Sequence, residues 1–238
     1  MARSTVGYAE AALPVLATYS CTDVEQMLLL QSLEEDLKRY IPLSKQVIGQ
    51  AYRRLVLKEN VPAAEKIVSI FEPETDIIVK GQREVVFGHK LLLSTGKSSL
   101  ILNFSVLDGN PADSSLVETV LDEHEAFYGQ APEQMVFDGG FASVANRDLA
   151  KMRNVREITF SKNLKMPLAS LVSSDKVHKS LMHFRAGVEG CISFAKRCFG
   201  LSRIIDRTKK TFRTVAQCAV AAYNLTLLAR FRLNNATP

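Results

Sequence analysis

Gln134-Met135-Val136-Phe137-Asp138-Gly139-Gly140 decides how this chain is read. A short apolar run with turn residues beyond it is the pattern of a buried strand. It ends at an acid followed by two glycines, which let backbone or ligand approach closely. A carboxylate at the end of a rigid strand is a common mount for catalysis or metal binding. Asp138 also fits a plain turn residue that caps the next helix, and the residues alone weigh the two evenly.

The pattern extends both ways. Downstream, a helix is expected around Asn146 to Arg153, then a strand over Glu157 to Ser161. Two long helices follow, Asp175 to Phe199 and Thr211 to Phe231. Upstream, short apolar runs read as strands: Ile67 to Phe71, Ile77 to Val79, Gly88 to Ser94 and Leu100 to Leu107. Thr95-Gly96-Lys97 is the expected hairpin turn between the last two. A helical segment then starts at Ser114 and runs through Phe127. Strands followed by alternating helix and strand give a mixed-sheet α/β class.

Residues 1 to 60 read as a helical arm. Thr22-Asp23-Val24-Glu25 has the form of a capping box. Val24, Leu28, Leu33, Leu37 and Ile41 continue as an apolar stripe. Pro42 is expected to kink or break that helix, and Val47, Ile48, Ala51 and Leu55 renew the pattern beyond it.

The 238 residues suffice for one sizeable core with an appendage, or two small domains. A net charge of +5 leans weakly toward an anionic partner. Cys21, Cys191, Cys198 and Cys218 are scattered without metal-ligand spacing, which argues against a zinc site or disulfide framework. The N-terminus has no signal-peptide pattern. The most apolar stretch, Phe212 to Phe231, is interrupted by Arg213, Gln217, Asn224 and Arg230, so it reads as a core helix. The expectation is a cytoplasmic protein with no membrane partner.

Glu189 is placed by helical geometry. At about 100° per residue, Arg185, Glu189 and Lys196 fall within a stripe of about 40°. Phe184, Val188, Cys191, Ile192, Ala195 and Phe199 form the apolar face beside it. Glu189 thus sits at the edge of a buried surface between two cations. By itself this favours an exposed i,i+4 pair with Arg185, worth only a few tenths of a kcal/mol. Glu72, Glu74, Asp76, Asp108 and Asp113 lie in turn-like or solvated contexts. His89, His124, His178 and His183 lie in no nucleophile motif.

Taken in order, several stretches resemble bacterial insertion-sequence transposases with a DDE, RNase H-like catalytic domain. They are Val61 to Pro73 with Thr75 to Ile78, Phe87-Gly88-His89-Lys90, Asp108 to Asp113, and Phe137 to Ser143. Phe184 to Gly190, Lys196 to Leu201 and Tyr223-Asn224-Leu225 with Leu228-Ala229-Arg230 complete the set. Each is weak alone, whereas their order and spacing are specific. The resemblance implies an RNase H-like mixed sheet with the first strand missing, spanning 61–238, behind the helical arm of 1–60.

The resemblance also implies roles. Asp138 matches the second catalytic Asp and Glu189 the catalytic Glu, both as ligands of Mg²⁺ or Mn²⁺. Arg185, Lys196 and Arg197 become DNA contacts. The signature around the Glu carries a Tyr where this chain has Met182. No strand bearing the first Asp precedes Val61, and Asp76 is no substitute for it.

Three functions follow as expectations. The first is metal-dependent DNA cleavage and strand transfer at the terminal inverted repeats of an insertion sequence. It needs a missing N-terminal part of the transposase or assembly as a homo-oligomer. The second is an inactive truncated remnant that binds DNA or full-length transposase. The third, a stand-alone metal nuclease, lacks a third carboxylate. Loss of a central strand would leave an unpaired edge and a marginally stable chain.

Overall fold

The computed structural model describes residues 1–80, 84–162, 164–202, 204 and 208–236. Among them the protein is mixed α/β, with six α-helices and three separate pairs of strands. The strands therefore do not join into one continuous sheet. Met1–Gly88 forms one compact unit, and a second begins at His89 and includes the C-terminal helix from Lys210.

In the first unit, α1 (Ala2–Thr18) packs against α2 (Val24–Leu55). Glu10 pairs with Lys45, and the Arg3 guanidinium lies 5.3 Å from the centre of the Tyr52 ring. These contacts join the start of one helix to the end of the other, as in an antiparallel hairpin. Of the kink or break expected at Pro42, the break does not occur: α2 continues through it. The ring removes a single N–H donor, while α2 packs against α1 and buries Ile41 beside the proline. Asp23, not Thr22, caps α2, its Oδ1 accepting from Glu25 N at 3.3 Å. A carboxylate suits the positive end of the helix.

Ile67 to Phe71 is not a strand. Gln50 on α2 supplies what a neighbouring strand would have supplied: its Oε1 accepts from Ile67 N at 3.0 Å and its Nε2 donates to Ile67 O at 2.7 Å. The apolar run instead buries Ile67 as irregular chain. The expected strand from Gly88 to Ser94 is divided. β1 (Asp76–Lys80) pairs antiparallel with β2 (Glu84–Gly88), and a new strand starts after Lys90.

In the second unit, β3 (Leu91–Thr95) and β4 (Ile101–Val106) form an antiparallel hairpin. Its turn carries Ser99 at φ 63, with Gly96 N donating to Leu100 O at 3.0 Å. Next comes α3 (Val117–Tyr128), which ends at left-handed Gly129, a conformation that glycine adopts without steric cost. β5 (Gln134–Phe137) and β6 (Glu157–Phe160) pair in parallel through the crossover helix α4 (Val144–Met152).

Two helices complete the unit, α5 (Asp175–Cys198) and α6 (Lys209–Ala236). Ser174 caps α5 by accepting from Val177 N at 3.3 Å. One core gathers Val117, Leu121, Phe137, Ile158 and Leu181, and fixes β5 against α3 and α5. Another gathers Ile101, Ala195, Ala216 and Tyr223, joining α6 to the hairpin. Burial pushes the Tyr223 phenol up, so it stays protonated and donates to Ser99 O at 3.0 Å. Asn224 accepts from Ile101 N and donates to Ile101 O, both at 2.9 Å. No helix among the described residues is long and apolar enough to cross a membrane.

Candidate functional site

Asp138 is the residue at which β5 ends and a short 3-10 turn, Gly139–Phe141, begins. Three donors converge on its Oδ1: Gly139 N at 2.6 Å, Ser161 Oγ at 2.9 Å and Arg185 Nη2 at 2.8 Å. Partial burial pushes the carboxyl up, but the Gly139 amide, the Ser161 hydroxyl and Arg185 outweigh it and hold Asp138 below its ordinary value. It is therefore an anion at neutral pH. Among the described residues no donor takes Oδ2.

Of the two sequence readings of Asp138, the turn cap is the one its contacts describe. Asp138 caps the turn that follows, through Gly139 N. It also faces a second carboxylate across one guanidinium, because Arg185 Nη2 lies 3.0 Å from Glu189 Oε1. The two carboxylate oxygens share one nitrogen as neighbour, so they lie within about 6 Å of each other. Glu189 is thus the i,i+4 partner of Arg185, and at the same time a neighbour of Asp138. The side chains of Asp138 and Glu189 are 65% and 66% exposed, whereas Arg185 is 24% exposed. A ligand can reach the acids, and their pairing alone adds little stability.

The loop under the acid is rigidly built. A Cβ on Gly140 would run into Asp113, whose Cγ would lie at 2.9 Å. Asp113 cannot easily yield, because Lys90 Nζ holds its Oδ1 at 2.5 Å and also donates to Pro111 O. Asn146, buried on α4, donates to Phe141 O and Ser114 O, each at 2.8 Å. Ser143 caps α4 through Asn146 N at 3.0 Å. Asp113, read from the sequence as a turn acid, is therefore a support for the second glycine. Ser161, Asn146 and Lys90 were not singled out in the sequence. Ser161 follows β6 directly, and its position one residue beyond a strand parallel to β5 is the signal that points to it.

Lys196 and Arg197 do not meet the two acids. They are exposed on the last turn of α5, and Lys196 is about 10 Å along the helix axis from Glu189. Among the described residues Arg197 Nε donates to Ser193 O, at 3.4 Å on its own helix. Arg185, Glu189 and Lys196 nonetheless share the helix stripe, so a ligand seated on Glu189 and extending along α5 would reach both cations.

Asp138 and Glu189 offer the hard oxygen donors that Mg²⁺ and Mn²⁺ prefer. Among the described residues no group of three His, Cys, Asp or Glu side chains is placed to hold a metal ion. All four cysteines are free thiols. The donor set suits a single divalent ion whose remaining ligands are waters or phosphate oxygens, once Arg185 releases the carboxylates. It is too small for two ions.

No family model matches this chain, and no curated protein or solved structure matches it either.

Proposed function

We propose that the second unit is the catalytic part of a DDE-type DNA transposase, built on an RNase H-like arrangement, and that it carries two of its three metal-binding carboxylates. The observation that carries this reading is the convergence of Asp138 and Glu189 on Arg185. Acids from the end of β5 and from α5, far apart in sequence, meet on an accessible surface. The antiparallel β3–β4 pair, the parallel β5–β6 pair and the order of the sequence motifs support the same reading.

The substrate is DNA at the terminal inverted repeats of an insertion sequence, and the cofactor is Mg²⁺ or Mn²⁺. A bound divalent ion would activate the attacking water or 3′-hydroxyl and stabilise the leaving oxygen. The chain's own residues set that chemistry up. Gly139 and Ser161 orient Asp138 and keep it ionised. Arg185 neutralises both acids in the absence of substrate, and its planar guanidinium suits bidentate pairing with a phosphate. Lys196 and Arg197 extend the cationic track along α5.

The test is binding of duplex DNA across a range of salt concentrations. Affinity should fall steeply as salt rises. Joint replacement of Lys196 and Arg197 by Ala should reduce the slope of log K against log salt by about 1.8, the value for two lost phosphate contacts. No measurable binding, or salt-insensitive binding, would overturn the proposal. With two carboxylates the chain alone should not cleave DNA in Mg²⁺ or Mn²⁺. That absence also fits a non-catalytic remnant, which differs in having lost divalent-ion binding at Asp138 and Glu189.

A further inference from the structure

We infer that the N-terminal half of α2 is a docking face for a cationic amphipathic helix of a partner protein. Val24, Met27, Leu28 and Leu29 are 53–68% exposed, and Leu33 is 44% exposed. At about 100° per residue, these five and half-buried Leu30 leave no arc of the helix wider than about 100° without an apolar residue. A helix that is apolar on every side is one that other chain covers. Within Met1–Gly88 little does so: every residue from Thr22 to Leu29 is exposed.

The packing register gives the reason. Glu10 pairs with Lys45, and the Arg3 guanidinium lies over the Tyr52 ring. Both contacts set Thr18, the end of α1, level with about Leu37 of α2. The turns from Val24 to Asp36 therefore run about 20 Å beyond α1. The chain between the helices bridges that length in extended form, with Tyr19 at ψ 126 and Asp23 at ψ 125. Six steps at about 3.3 Å each suffice. An extended strip is a narrower neighbour than a helix, and of these six apolar residues Leu30 alone is half-buried.

One face identifies the kind of partner. Glu25, Leu29, Leu33 and Asp36 share a stripe about 80° wide, and Tyr40 continues it. At Tyr40 the stripe is covered by Phe71, in an edge-on contact with ring centres 5.6 Å apart. At Leu29 and Leu33 it is open to solvent. Residues four apart form the ridges against which another helix packs. A helix interior offers no unpaired main chain to a strand, so the occupant is helical.

Its charge follows from the acids. From Ser4 to Leu37 the chain has no Lys, Arg or His, whereas Asp23, Glu25, Glu34, Glu35 and Asp36 flank the apolar residues. Among the described residues only Glu34 of these five pairs with a cation, Lys38 at 2.6 Å. The whole chain carries +5, so this acidity is local. It repels DNA and anionic membranes, and it sets like charge against like where two copies meet through this face. Lysines or arginines beside an apolar stripe fit it, as in the charged flanks of a coiled coil. The face shares no residue with the site around Asp138 and Glu189.

The experiment is titration of the full chain into a labelled synthetic helix of about 18 residues, followed by fluorescence anisotropy. The peptide has Leu at its core positions and Lys beside them. One control carries Glu in place of Lys, and another has the same residues in an order without an apolar stripe. The Lys peptide should bind at least about tenfold more tightly than either control. Leu29→Ser with Leu33→Ser should weaken it at least about tenfold and leave the thermal melt unchanged, since both side chains are exposed. Glu25→Lys with Asp36→Lys should turn the preference toward the Glu peptide. A Kd above about 1 mM for the Lys peptide, or binding untouched by the Leu variant, would overturn the docking face. Equal binding of the reordered control would overturn the helical partner, and equal binding of the Glu peptide the cationic one. Self-association of the chain that the Leu variant dissolves would assign the face to a second copy and overturn the partner protein.

Discussion

Arg185 Nη2 lies 2.8 Å from Asp138 Oδ1, joining residues 47 positions apart through one charge-assisted hydrogen bond. The same nitrogen serves Glu189, so the guanidinium stands where a cation bound between the two acids would stand. Arg185→Gln should therefore tighten Mn²⁺ binding about tenfold in the absence of DNA, equivalent to about 1.4 kcal/mol. It should also move Asp138 up toward its ordinary value, because a lowering charge is lost. Isothermal titration and carboxyl NMR titration check the two effects. Weaker Mn²⁺ binding in this variant would assign Arg185 a supporting role in place of a competing one.

The second glycine after Asp138 is set by packing against Asp113. Gly140→Ala should destabilise the protein by about 1–3 kcal/mol in urea unfolding, the usual cost of overpacking. Gly139→Ala should cost less, since its Cβ would come no closer than 3.3 Å to Lys162 Cβ and Ser161 Oγ. The penalty at Gly140 should shrink in an Asp113→Ala background. Equal penalties in both backgrounds would remove Asp113 as the cause.

Much of this was legible along the chain, and the boundary of legibility is physical. β5 and β6 stand out because β5 is largely apolar, β6 alternates polar with apolar residues, and turn residues follow the first and precede the second. The Arg185–Glu189 pair stands out because i,i+4 spacing is local. The Asp138–Arg185 bond and the Asp113–Gly140 contact depend on chain crossings that no local pattern records. The run from Ile67 to Phe71 misleads because its hydrogen bonds go to the side chain of Gln50 and not to a strand. The mixed α/β class was readable from the alternation of elements, whereas the separation of the strands into three pairs was not.

Glu157 is a buried acid that supports β6. Its Oε2 accepts from Ser173 N at 2.7 Å. Burial pushes its carboxyl up, but the Ser173 hydrogen bonds, with Lys151 and Arg156, outweigh it and hold the group below its ordinary value. A depressed folded value means the group stabilises the fold above its unfolded pKa, about 4.3. That contribution is lost as pH falls through the folded value. Glu157→Ala should lower stability by about 2 kcal/mol at pH 7, the scale of a lost hydrogen bond to a charged group. The gap to wild type should narrow on acidification, as read by urea unfolding over pH 7 to 2.5. A gap that stays constant with pH would remove the ionised group as the cause.

Asn224 substitutes for a strand neighbour at the start of β4. Loss of both its bonds to Ile101 in Asn224→Ala should cost about 2 kcal/mol and speed exchange of the Ile101 amide. Asn224→Asp keeps the acceptor and loses the donor, so the Ile101 amide should remain protected while stability still falls. Rapid exchange of that amide in Asn224→Asp would contradict the pairing.

We propose that Asp138 and Glu189 together bind a divalent cation. Mn²⁺ titration followed by electron paramagnetic resonance tests it most directly, on the wild-type chain and on Asp138→Asn and Glu189→Gln. The expected result is one Mn²⁺ per chain, strengthened by duplex DNA and weakened at least about tenfold by either substitution, the loss typical for ligand-shell changes. Mn²⁺ binding that is absent with DNA present, or unaffected by both substitutions, would contradict the account.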